Sequence, residues 1–108
     1  MFDVSSVNKR YFEVKLNVTN DEGKEINSII VEAEPPKLKV LKKITSISKE
    51  KQENAIEDLT ECIKMILNKN KSKSKVPDEY IEELDSDQMN ELLTEYFNWL
   101  NKNKNSKN

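Results

Sequence analysis

Residues 11–18, YFEVKLNV, alternate strictly. Phe12, Val14, Leu16 and Val18 fall on one side and Glu13, Lys15 and Asn17 on the other, which is the period-two pattern of a half-buried strand. Residues 19–25, TNDEGKE, form a turn in which Gly23 is free to take a positive φ. The next run, INSIIVEA, reads as a return strand with Ile29, Val31 and Ala33 on the same face, completing a β-hairpin over 11–33. A lone hairpin is marginal in water. It must pack on other elements or pair through an edge with another chain, and both remain open. Before it, residues 1–10 are a loose arm or a short edge strand whose Phe2, Val4 and Val7 can dock on the hairpin.

After Pro35-Pro36 the period changes to that of helices. Leu38, Leu41, Ile44 and Val40 make the apolar face of a helix opened by Pro36, with Lys37, Lys39, Lys42 and Lys43 in water. The TSIS stretch, 45–48, reads as a break, and Ser48 as the N-cap of the longest helix, running to Asn68. Its broad stripe holds Ala55, Ile56, Leu59, Cys62, Ile63, Ile66 and Leu67. Residues 69–75, KNKSKSK, carry no apolar side chain and predict a mobile basic linker. Pro77, Asp78 and Glu79 open a short helix, with Tyr80, Ile81 and Leu84 at helical spacing. Asp85 and Gln88 have the spacing of a capping box. Beyond it, Met89, Leu92, Leu93, Tyr96, Phe97 and Leu100 form one stripe, with Trp99 at its edge and an end near Asn101. This stripe is either core or a partner-binding surface with aromatic anchors.

The pattern predicts an α+β fold, an N-terminal β-hairpin packed on three to four α-helices. One small domain covers 1–101: the hairpin at 11–33, helices over 36–68, the linker at 69–75 and C-terminal helices over 77–101. Residues 102–108 are expected to be a disordered tail. A chain of 108 residues buries one modest core.

Composition narrows the chemistry. There is no histidine, one cysteine and one glycine, so the commonest general base, a disulfide and a glycine-rich phosphate loop are all missing. Cys62 lies inside an apolar stripe and reads as a small buried hydrophobe. No catalytic residue, cofactor or metal site is expected, and no small-molecule substrate. No run has transmembrane length and the N-terminus lacks a signal core, so a cytoplasmic protein is expected, with no membrane partner. The net charge of −2 hides separate blocks. Six lysines lie within 37–51 and four within 69–75, whereas 78–95 holds eight acidic residues and no basic one. Such blocks suit pairing within or between copies, a possible self-association, more than a nucleic-acid footprint, which would favour arginine and an overall basic charge.

The succession FEVKLNVTNDEGKE, IIVEAEPPKLKVLKKI, AIEDLTECIKMILNKNK, a basic linker and YIEEL…DQMNELLTEYFNWL resembles the small tail assembly chaperones of long-tailed phages and prophages of low-G+C Gram-positive bacteria. The likeness spans about residues 11–101. It implies a non-enzymatic protein of the host cytoplasm that coats the tape measure protein, helps recruit tail tube protein and is absent from the finished virion. It also implies a longer form made by ribosomal frameshifting. A client of this kind suits helix-in-groove binding, with Tyr80, Ile81, Tyr96, Phe97 and Trp99 as surface anchors. Two other readings compete: a small nucleic-acid-binding regulator using the lysine blocks, and a structural tail or head–tail joining subunit.

Overall fold

The computed structural model describes residues 1–49 and 55–102, without the side chains of 47–49 and 55. The order of elements is a short 3-10 turn at Val4–Ser6, strands β1 (Phe12–Thr19) and β2 (Glu25–Ala33), and helices α1 (Leu38–Lys49), α2 (Ala55–Asn68), α3 (Asp78–Glu82) and α4 (Ser86–Lys102). The α+β architecture is as the pattern predicts.

The hairpin is antiparallel, with Phe12 opposite Ala33, Val14 opposite Val31 and Leu16 opposite Ile29. All six belong to the predicted apolar face, because cross-strand partners share a face. Gly23 has φ +79°, and the Asn20 side chain closes the turn by accepting from the N–H groups of Glu22 and Lys24. A bulge between Val18 and Thr19 shifts the register at the turn end.

That face closes over the helices. Leu16, Val31 and Ala33 share one core with Ile44 of α1, Cys62, Ile63, Ile66 and Leu67 of α2, Tyr80 and Ile81 of α3, and Met89, Leu93 and Tyr96 of α4. Cys62 is fully buried as expected. Its Sγ lies 3.9 Å from the Ile44 carbonyl. Burial, reinforced by Asp58 and Glu61, pushes its thiol pKa up.

Several expectations need correction. Residues 45–48 are no break: α1 runs through them, and the Thr45 hydroxyl donates to the Leu41 carbonyl one turn back, 2.8 Å away. A hydroxyl satisfied inside the helix removes its competition with the backbone. Ser48 therefore lies within α1 and not before a helix start. The expected course of the long helix through 50–54 lies outside the described residues, as does the tail from 103 onward. Leu38 and Ile56, each 65% exposed, are off the core face. The N-terminal arm forms no strand, and its apolar residues do not dock: Phe2, Val4 and Val7 are 73%, 76% and 61% exposed.

The basic linker is tied down. Asn70 is 5% exposed; its side chain donates to the carbonyls of Leu67 and Ser74 and accepts from the Ser74 N–H and the Ser72 hydroxyl. The Glu34 N–H donates to the Lys69 carbonyl, and the Lys71 N–H to the Glu32 carbonyl. The segment thus pairs briefly with the outer edge of β2. Buried Glu34 accepts a hydrogen bond from Lys69 Nζ at 2.8 Å, with Lys9 at 3.6 Å. Periodicity could not reveal this, because a polar residue satisfied by turn carbonyls looks like a solvated one.

At the C-terminal end, Asp85 and Gln88 form the reciprocal capping box, at 2.9 and 2.7 Å. Arg10 closes the other end of α4, donating to the carbonyls of Trp99 (2.7 Å) and Leu100 (3.1 Å) while its guanidinium lies 4.2 Å from the Trp99 ring centroid. These carbonyls belong to the last turn and lack intrahelical partners. No described helix is long and apolar enough to cross a membrane.

Replacing Arg10 with alanine removes the cap and the cation–π contact, and should cost about 2 kcal/mol. Arg10→Lys should recover less than half, since an ammonium lacks the fork. Urea midpoints at unchanged m-value measure both. The Lys69 hydrogen bond holds the Glu34 carboxyl below its ordinary value of 4.5, against an opposing effect of burial. A depressed folded value means that the ionised form is favoured in the folded chain. The stability advantage of wild type over Glu34→Gln should therefore be full above pH 4.5 and shrink as pH falls below it. Urea melts at pH 7 and pH 3 test this.

Candidate functional site

The five residues predicted as anchors do not form an open surface. Tyr80, Ile81 and Tyr96 are 5%, 2% and 0% exposed. All three are core, and only Phe97 and Trp99 remain half-buried. For Tyr96, Phe97 and Trp99 the reason is a further aromatic contributed by the hairpin. Phe12 meets Tyr96 edge-on, with centroids 5.6 Å apart and planes at 69°. Phe12 also lies 5.6 Å from Trp99. Tyr96 contacts Phe97 at 5.6 Å and Trp99 at 5.8 Å. Such offset and edge-to-face pairs contribute about 0.5–1.5 kcal/mol each beyond their burial. Arg10 then covers the outer face of Trp99. The cluster joins β1, α4 and the N-terminal arm, and leaves little aromatic surface for a partner.

Within it, the Tyr96 hydroxyl is buried without a hydrogen-bond partner among the described residues. Burial pushes its pKa far up, only partly opposed by the Arg10 charge. The ring therefore acts as packing and not as an acid.

The open surface lies beside this cluster. A groove of about 500 Å³ runs between β1 and the helices. One wall is the outer edge of β1, residues 12–17 and Thr19; the other is Glu83, Leu84, Gln88, Glu91, Leu92 and Glu95. The α4 positions 88, 91, 92 and 95 share one helical face. Leu84 and Leu92 are half-buried and packed against the core, whereas Glu13, Glu83, Glu91 and Glu95 are exposed. Lys15, the basic residue of the groove, is 3.6 Å from Glu25. The site is an acidic trough with an apolar floor.

None of the five predicted anchors lines this trough. The acidic run of 78–95 and the polar face of β1 were both legible. What no periodicity shows is that β1 stands beside α4 with an edge left open. The lysine blocks are elsewhere. Lys37, just before α1, and Lys39, Lys42 and Lys43 on it are exposed, and Lys69 pairs with Glu34. No group of three or more His, Cys, Asp or Glu among the described residues is placed to hold a metal ion.

The aromatic cluster has a direct test. Trp99→Ala should lower stability by about 3 kcal/mol through lost packing. Tyr96→Phe should be neutral or stabilising, because the hydroxyl it removes has no partner. Thermal and urea melts of the two variants separate a packed cluster from a surface patch, in which Trp99→Ala would cost little.

Compared with protein-family models, characterised proteins and solved structures, the chain matches none.

Proposed function

We propose that this chain is a binding protein without enzymatic activity, a tail assembly chaperone that holds the tape measure protein of a long-tailed phage until the tail tube forms around it. The observation that carries the reading is the trough between β1 and α4, a long open surface with an apolar floor and a charged rim. A temporary carrier needs a surface of this kind: enough apolar contact to keep a client soluble, and a wet polar rim that keeps affinity modest and release easy. The likeness of the chain's segments to tail assembly chaperones supplies the client and the setting. In that setting the protein works in the host cytoplasm, helps bring in tail tube subunits and is absent from the mature particle. The client-binding surface moves from the aromatic helix, whose Tyr96 is fully buried, to the trough and the exposed arm bearing Phe2 and Val4.

The test is co-expression with the phage's tape measure protein, followed by affinity purification of this chain. The expected outcome is that the tape measure protein becomes soluble and co-purifies. A tape measure protein that stays insoluble, with nothing bound, would refute the chaperone reading.

A further inference from the structure

The two edges of the hairpin are treated differently. At the end of β2, Glu32 and the next residue beyond the strand, Glu34, turn backbone groups outward, and both are taken up by residues 69–71. Backbone direction alternates along a strand, so Val31 and Ala33 face β1. Phe12, Val14 and Leu16, their partners and that of Ile29, therefore spend their N–H and C=O groups inside the hairpin. The intervening residues Glu13, Lys15 and Asn17 point theirs outward. Thr19 continues this series, and its N–H does point outward, to Glu83 Oε1 at 3.4 Å. Among the described residues, no partner meets the backbone groups of Glu13, Lys15 and Asn17.

This edge is only lightly protected. Glu13 and Lys15 put charge along it, but β1 holds no proline and its bulge lies at the turn end; proteins otherwise blunt an exposed edge with such devices or cover it. Residues 13–17 offer about 13 Å of unpaired edge, at about 3.3 Å per residue. The space beside them is the trough itself.

We propose that this edge takes an extended, lysine-bearing segment of a partner protein as a third strand. The added strand pairs with Glu13, Lys15 and Asn17. It sets alternate apolar side chains on Leu84 and Leu92, and its lysines, on the other face, meet Glu13 directly and reach Glu91 and Glu95 around the strand's free edge. Among the described residues these three carboxylates have no ion-pair partner, so charge selects the occupant. A second copy fits badly, since its β1 would bring one lysine, Lys15, which already lies 3.6 Å from Glu25, and a further carboxylate, Glu13, to an acidic trough. Main-chain pairing gives affinity and the alternating pockets give selectivity, as in other strand additions. The inference deepens the proposed function by naming the form in which a client segment is held, and rests on that reading only for the client's identity.

The experiment is an NMR titration of the full chain with the synthetic peptide acetyl-KVKVK-amide, and with acetyl-EVEVE-amide as its charge-reversed control. The lysine peptide should bind with submillimolar affinity, shifting the amides of 13–17 and 88–95. Raising salt to about 0.5 M should weaken it several-fold. Glu91→Gln/Glu95→Gln should weaken it about tenfold. Lys15→Pro removes an outward N–H that β2 does not use; it should abolish binding while the rest of the amide spectrum stays folded. No binding at millimolar peptide would overturn the proposal, as would equal binding of the glutamate peptide or shifts confined to other surfaces. Sedimentation of the free chain as a dimer that Lys15→Pro dissociates would assign the edge to a second copy instead. Peptide binding without tape measure capture would remove the phage reading and leave this one standing; capture that survives Lys15→Pro would do the reverse.

Discussion

A two-stranded sheet has two faces and two edges, and water is a poor partner for most of them. The fold is the set of solutions to that constraint. One face is closed by the helices, through Leu16, Val31 and Ala33. One edge is closed by residues 69–71, held in place by Asn70 and by the Glu34–Lys69 pair. Asn70 carries much of that arrangement: it is buried, so each of its hydrogen bonds replaces one that water can no longer supply. The other edge, along β1, has no such cover among the described residues.

The same strand carries the second organising contact. Phe12 lies at its start, next to Arg10, and reaches Tyr96 and Trp99 on the last helix. Arg10 holds the final carbonyls of α4 and lies over the Trp99 ring. The lone arginine thus ties the beginning of the chain to its last described helix, a geometry that a guanidinium meets and an ammonium does not. With its C-terminal end held by Arg10 and its buried face in the core, α4 lines one groove together with β1. Core packing and the candidate site are therefore coupled through a single strand, whose even positions build the core and whose odd positions border the groove.

Local signals were legible in the sequence. Alternation gave the hairpin face and, with Gly23, the turn; spacing gave the Asp85–Gln88 box and the buried stripe around Cys62. The failures share a cause, which is long-range partnership. Tyr96, Phe97 and Trp99 point in too many directions around one helix to be read as core until Phe12 and Arg10 arrive from the other end of the chain. Asn70 looked like linker because its partners are carbonyls. The 45–48 stretch looked like a break because hydroxyl residues favour caps, whereas Thr45 bonds back within its own helix. Which edge of a hairpin stays open depends on where a later segment lands, and no periodicity encodes that.

The central claim is that β1 offers an uncovered edge, and amide hydrogen exchange of the free chain tests it most directly. The amides of Val14 and Leu16, bonded within the hairpin, should exchange slowly. Those of Glu13, Lys15 and Asn17 should exchange at least a hundredfold faster, since no described residue bonds to them. Equal protection of both sets would mean that the edge is already covered in the free protein, and the account of the groove as a binding site would fail.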